Sequence, residues 1–372
     1  MSEKKNDLFT IAIVAAILMI FSTTDLLTKL GILEKDNITE PELELSLSKD
    51  DLWNGRFFEK YEEWEQETFF NRTKWSEIVR NTRLTLGRRE LNGIYLGKRG
   101  RYFEKHAGED YPLNVMERAL EDLKEISEER NALIMLIPTS DEVWKEDLPG
   151  YADSFDQSAF LGRVRDTVGE EAFIDLYASL KAHEGERLYY STDPHWTSLG
   201  AYYGYLTWRR QAGNKLPVYY DPGKLVSVKE DFVGKYAEKT GLGMQEESIL
   251  TFGETYRRSL SVLVDGEESP EEFYHDEKLD SAEPLEYFLG NDFRVAEITT
   301  GRDRKESLVV IGDSYANSML PLLAPHYRKI YVIYAESFGA DWKRALGMFE
   351  GREDLEYLLL QSVPDYLELY RQ

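Results

Sequence analysis

Leu308-Val309-Val310-Ile311-Gly312-Asp313-Ser314-Tyr315 decides the fold class. Four apolar residues, three of them β-branched, run without a polar break into Gly-Asp-Ser. Such a run reads as a parallel strand buried on both faces. A strand of this kind delivers the residues that follow it to the C-terminal edge of the sheet, where α/β folds carry their sites. Ser314 is therefore a candidate nucleophile. A serine after Gly-Asp also serves, in other chains, as the N-cap of the next helix.

Far upstream, Ser191-Thr192-Asp193-Pro194-His195-Trp196 places a carboxylate and an imidazole two residues apart. In a turn or extended loop, Asp193 can orient the ring while the other nitrogen stays free to activate Ser314. Acid, base and nucleophile together are the parts of hydroxyl-based covalent catalysis. An Asp-x-His pair alone is often only a surface hydrogen bond, so the weight lies on the combination. The chain has five histidines. His106, His183, His275 and His326 sit among charged or turn-forming neighbours, without a comparable setting.

Around these stretches the pattern alternates as in α/β proteins. Helices are expected over 113–130, 158–168, 198–211 and 316–323, and strands over 133–137, 173–177, 260–264, 308–311, 330–334 and 357–360. Residues 91–103 read as a hairpin turning at Lys98-Arg99-Gly100, and 232–258 as irregular. Residues 265–283 hold nine acids and one lysine and read as a solvated excursion. The fold class is α/β with a mainly parallel sheet.

The chain has 372 residues, 42% hydrophobic and 13% aromatic, enough for a large core. It has no cysteine, which excludes disulfides, thiolate catalysis and cysteine-based zinc sites. A formal charge of −24 argues against nucleic acid as a partner and is read as serving solubility. No metal site is expected, because the acids beside His183 and His275 look like ordinary charged surface. Lys4 and Lys5 precede an uncharged apolar run, Leu8 to Thr24, whose length of about 26 Å as a helix nearly spans a bilayer core. A cleaved signal peptide competes with a signal anchor. The residues after the run lack a small-x-small cleavage site, which favours an uncleaved anchor over 1–27 with the body outside the cell. A polar linker over 28–51 and a catalytic domain over 52–372 follow. Within 52–89, Trp53, Phe57, Tyr61, Trp64 and Phe69 recur at helical spacing and read as a packing face.

Asp193-Pro194-His195-Trp196-Thr197-Ser198-Leu199-Gly200 and Asp313-Ser314-Tyr315-Ala316-Asn317-Ser318 resemble the two signatures of the bacterial DHHW family. Asn92-Gly93-Ile94-Tyr95, Leu136-Ile137-Pro138-Thr139-Ser140, Asp231-Phe232-Val233-Gly234 and Tyr287-Phe288-Leu289-Gly290-Asn291 are similar to further landmarks of it. Two departures stand out. Pro194 occupies a position that is histidine in the named signature, which leaves the Asp193–His195 dyad intact. After Tyr331-Val332-Ile333 the family continues with an Asp-Leu-Arg-Tyr-Tyr-like segment, whereas this chain has Tyr334-Ala335-Glu336-Ser337-Phe338-Gly339. If an arginine there contacts substrate in relatives, that contact is missing or replaced. The family in turn resembles SGNH-hydrolase-like proteins that O-acetylate alginate and other exopolysaccharides. The resemblance implies a three-layer SGNH-like fold in which the Asp-x-His segment precedes Gly-Asp-Ser, with Ser314, His195 and Asp193 as the triad.

The expected reaction is double displacement through an acyl-serine, with His195 serving both halves. The Ser314 backbone N–H is the natural first oxyanion donor. The second is open between the loop holding Thr139 and Ser140, and Asn317. Trp196 and Tyr315 either stack on a sugar ring or pack the site wall. Transfer to a polysaccharide hydroxyl, rather than to water, rests on the resemblance. The resemblance also implies a membrane-bound O-acyltransferase partner that supplies the acetyl group. An acetylesterase of the same glycan and a non-catalytic polysaccharide-binding or export scaffold are the alternatives. No cofactor is expected.

Overall fold

Ser307–Gly312 is buried at every residue, and the reason is its neighbours. It pairs in parallel on both sides, with Leu308 opposite Ile330 on one flank and Glu356 on the other. The computed structural model describes residues 72–213, 220–252, 260–267, 270–290 and 292–371, together with Met19, Ser22, Thr23 and Leu27. Of the expected membrane anchor only those four residues are described, and the linker and the aromatic stripe from Trp53 to Phe69 lie outside the described residues. No helix among the described residues is long and apolar enough to cross a membrane.

The chain divides into two compact units, Met1–Arg88 and Arg89–Gln372. In the first, the described element is the helix Arg72–Thr85. The described residues of the second form twelve strands. In chain order they are β1 (Glu90–Leu91), β2 (Ile94–Leu96), β3 (Tyr102–Glu104), β4 (Leu133–Ile137), β5 (Leu225–Phe232) and β6 (Glu247–Phe252). Then follow β7 (Ser261–Val264), β8 (Glu271–Glu272), β9 (Val295–Thr299), β10 (Ser307–Gly312), β11 (Lys329–Tyr334) and β12 (Leu355–Ser362).

Seven strands form the central sheet in the order β4-β12-β10-β11-β9-β7-β8. The first four are mutually parallel, and β9, β7 and β8 extend the sheet antiparallel. Alternation along β10 feeds two cores. Leu308 and Val310 pack with Ala201, Tyr205 and Trp208 of the helix Ser198–Gln211. Val309 and Ile311 pack with Val115, Leu123, Phe160 and Val164 of the helices Leu113–Arg130 and Gln157–Val168. Helices thus cover both faces of a mainly parallel sheet.

Local chemistry sets the helix ends. Asp156, Asp175 and Thr197 each accept a hydrogen bond from the backbone N–H three residues on. Asn131 ends the helix Leu113–Arg130 in the left-handed conformation at φ 51°.

Two expectations need correction, and a third gains an element. Phe173–Tyr177 is not a strand: Phe173 makes one parallel bridge to Ile134, and Asp175 then caps the helix Leu176–Ala182. Of the stretch 232–258 expected to be irregular, residues 232–252 are described and are not: β5 and β6 pair antiparallel, and Lys235–Thr240 is helical. Two register shifts break the alternation of β5, and the inward slots of β6 hold Glu247 and Thr251 beside Ile249. The hairpin at Lys98-Arg99-Gly100 gains a third strand, β1, through a turn at Asn92-Gly93, both at positive φ.

Candidate active site

The edge of the sheet beyond Gly312 is shaped by Asp313. Its Oδ1 accepts from the Tyr315 N–H at 3.0 Å and its Oδ2 from the Ser362 N–H at 2.6 Å. One carboxyl group thus ties the corner after β10 to the end of β12. Burial, and then the Asp365 carboxylate, push the Asp313 pKa well up. Ser314 follows at the corner, half-buried.

The histidine arrives from the opposite side. Residues 189–196 fold back on themselves, with Tyr189 bridged to Trp196 and the Tyr190 N–H donating to the His195 carbonyl at 3.1 Å. His195 Nε2 lies 2.8 Å from Ser314 Oγ, and its Nδ1 lies 2.6 Å from Asp193 Oδ1. Asp193 also accepts from the backbone N–H groups of His195 at 3.1 Å and Lys235 at 3.3 Å. It is 2% exposed, and burial alone would raise its pKa. The facing imidazole and the two N–H donors outweigh burial and hold the carboxyl below its usual range. A serine, an imidazole and a buried carboxylate in this order form a chain in which the ring can take the hydroxyl proton and be stabilised once charged.

Two crossed hydrogen bonds lock loop to corner. Trp196 Nε1 donates to the Tyr315 carbonyl at 2.8 Å, and the Tyr315 hydroxyl donates to the Pro194 carbonyl at 2.8 Å. Behind the loop, the buried Glu247 of β6 accepts from the Ser191 N–H, the Thr192 N–H and the Thr192 hydroxyl, all at 2.8–3.0 Å. Gly234 closes the packing on the other side. A Cβ there would stand 2.4 Å from Asp193 Cβ and 2.5 Å from the Thr192 carbonyl oxygen.

Ser314 and His195 open into a cavity of about 480 Å³, with Ser140, Lys235, Tyr334 and Glu336 among its walls. The sequence-derived binding candidates divide. Tyr315 lines the cavity, its ring centroid 4.8 Å from that of His195, but its hydroxyl is committed to Pro194. Trp196 is 2% exposed and packs against Gly204 and Met135 in the core, so it forms structure behind the site rather than a stacking face. Asn317 is buried, and its amide donates to the Gly290 carbonyl at 2.9 Å. Thr139 touches the cavity, yet its N–H goes to Gln157 Oε1 at 3.0 Å and its hydroxyl to Asp141. Thr139 thus has no donor left to offer, whereas Asn317 spends one amide hydrogen on Gly290.

Sequence reasoning missed three groups. Tyr334, at the end of β11, lines the cavity, and burial raises its pKa. Glu247 supports the dyad loop as described. Contrary to the expectation for it, His106 also faces an acid in this cavity, with Nδ1 3.4 Å from Asp141 Oδ1. Burial opposes charge on His106, but Asp141 outweighs it and raises the pKa. Asp141 is buried in turn and held low by His106, Thr139 and Ser154. The two partners lie 35 positions apart, so no local spacing could reveal them. His183 and His275 pair with Glu186 and Glu277, while His326 is buried against Tyr205. Among the described residues no group of three His, Asp or Glu is arranged to hold a metal ion.

The DHHW protein family model matches residues 135–333. A DHHW family protein from Eubacterium siraeum superposes with a TM-score of 0.56 at 19% identity, covering 75% of this chain and 93% of that one. Bacillus cereus PatB1, in a structure with a sulfonyl adduct, gives a TM-score of 0.55 at 16% identity, covering 74% of this chain and 97% of that one. No curated protein matches the chain. At these identities the two likenesses speak for the fold.

Proposed function

From a chain that belongs to the DHHW protein family, we propose an extracytoplasmic O-acetyltransferase that passes an acetyl group through Ser314 to hydroxyls of a cell-surface polysaccharide. The observation that carries this reading is the continuous hydrogen-bonded line from Ser314 Oγ through His195 to the buried Asp193, opening into a cavity. PatB1, which shares the fold, has been solved with a sulfonyl adduct. Trapping by such reagents is expected of an activated nucleophile.

In the first half-reaction Ser314 Oγ bonds to the acyl carbon and its proton passes to His195 Nε2. The imidazolium, stabilised by Asp193, then protonates the departing group of the donor. In the second half an acceptor hydroxyl gives its proton to His195 and attacks the acyl-serine. Ser314 leaves and recovers the proton. The Ser314 N–H faces the developing oxyanion as its first donor. The acetyl group reaches the site from a membrane-bound O-acyltransferase, and an N-terminal anchor holds the catalytic body at the outer surface.

Full-length protein incubated with an activated acetyl ester and an oligosaccharide acceptor tests this. Acetylated oligosaccharide from wild type, with none from Ser314→Ala, is the expected result. Release of acetate at the same rate with and without acceptor would make the protein an esterase. Activity that survives Ser314→Ala would remove the acyl-serine.

A further inference from the structure

Beside the catalytic cavity lies a second, larger groove of about 930 Å³. Consecutive residues serve both: Glu336 lines the first, while the next two residues, Ser337 and Phe338, line the second. This stretch is where the chain departs from the family pattern after β11.

The groove is apolar at its floor and carries fixed guanidinium groups. Tyr331 and Phe349 pack with ring centroids 5.1 Å apart, and the Arg352 guanidinium sits over both, at 5.1 and 5.3 Å. Arg294 sits 4.4 Å over the ring of Phe338. Arg344, a third arginine in the groove, pairs with Asp341 at 3.0 Å. The remaining acids there are occupied. Asp265 accepts from the backbone N–H groups of Arg294 and Val295, and Glu297 pairs with Lys329. Among the described residues Arg294 and Arg352 form no ion pair, although the chain as a whole carries −24. A guanidinium held over a ring by cation–π attraction keeps N–H donors available for a bidentate bond to an oxyanion.

We propose that this groove binds an anionic stretch of glycan, Arg294 and Arg352 gripping its carboxylate or phosphodiester oxygens, while the neighbouring sugar unit enters the catalytic cavity. The substrate is then an acidic polymer read at two places, one for charge and one for chemistry. The proposal rests on the acyltransferase reading for the second place only, since binding in the groove needs no turnover.

Binding to full-length protein is measured by calorimetry with three probes: an oligogalacturonate, a glycerol-phosphate oligomer and a neutral cello-oligosaccharide. At least one anionic probe should bind, more weakly as salt rises, and the neutral one far less. Arg294→Gln with Arg352→Gln should weaken that binding on the order of tenfold or more. Arg352→Lys should fall between, because it keeps the charge and loses the fork. Whichever anionic probe binds more tightly names the oxyanion. Ser314→Ala should bind as wild type does. If neither anionic probe binds, or if the double variant binds as well as wild type, the groove is not a glycan site. Arginine-dependent binding in a protein whose turnover survives Ser314→Ala would keep the groove and discard the catalytic reading.

Discussion

Glu247 lies far from the reacting atoms, and the geometry makes it a strong test of how the dyad loop is held. Its carboxylate is the acceptor for three donors of residues 191 and 192, two backbone N–H groups and the Thr192 hydroxyl. Thr192 passes the constraint on, since its hydroxyl accepts from the Gly234 N–H at 2.9 Å and its carbonyl from the Tyr236 N–H at 3.0 Å. Glu247→Ala removes the acceptor from all three donors. Each buried donor left without a partner costs about 1–3 kcal/mol. Ser191 is only half-buried and water can reach it, so roughly 3–5 kcal/mol is expected in all. For a body of this size that is a fall in Tm on the order of 10 °C. Glu247→Gln can keep its oxygen toward Thr192 and place its amide toward Ser191, so it should lose only about 1–2 kcal/mol. Because the loop aims His195, Glu247→Gln should also lower kcat/KM for an activated acetyl ester by roughly 10- to 100-fold. Thermal unfolding and ester kinetics on the same preparations read both effects. A Glu247→Ala protein with unchanged Tm and unchanged kcat/KM would refute the reasoning.

Other outcomes follow from the same site. Gly234→Ala must displace Asp193, whose Cβ and Oδ2 would lie 2.4 and 2.8 Å from the new methyl group. It should lower kcat by about 100-fold, whereas Gly162→Ala, with open space around it, should leave kinetics unchanged. Asp193→Asn should cost about 10⁴-fold in kcat, because an amide favours the tautomer that leaves a proton on Nε2. The folded-state pKa of Asp193 is depressed, so its contribution to stability is present above the ordinary carboxylate range and is lost as pH falls through the folded value. Urea unfolding of Asp193→Asn should accordingly show a shallower loss of stability at acid pH than wild type shows. His106 runs the other way: its raised pKa gives stability that is full below its unfolded pKa of about 6.5 and lost as pH rises through the folded value. The stability gap between wild type and His106→Gln should shrink over that rise, as urea midpoints across pH would show.

The parts of the fold that the sequence exposes are those whose partners are uniform. Leu308–Ile311, Ile330–Tyr334 and Tyr357–Leu360 lie between other strands and helices and are buried at every residue, so each run of hydrophobic residues is unbroken. The helix Ser198–Gln211 is legible because Thr197 caps it and its aromatic residues keep one period. β6 was hidden because its inward slots serve a loop rather than a core. Glu247 and Thr251 occupy positions where an apolar residue would have signalled a strand. Phe173–Tyr177 misled for the opposite reason. Its apolar residues are buried, but Asp175 in their midst caps a helix. At the site, Asp193 and His195 are close in sequence and could be paired by spacing. Glu247, Tyr334 and the His106–Asp141 pair reach the site from distant segments, and only the packed fold brings them together. Trp196 looked like a ligand-facing aromatic because it adjoins the histidine. Its indole N–H and ring are both spent on the protein.

In the proposed reaction Ser314, activated by His195 and Asp193, carries the acyl group. Intact-protein and peptide mass spectrometry after exposure to a slowly turned-over acetyl ester tests it most directly. One acetyl increment is expected, mapped to the peptide containing Ser314, absent in Ser314→Ala and strongly diminished in His195→Ala. An increment on another residue, or none on Ser314 while ester is being consumed, would contradict it.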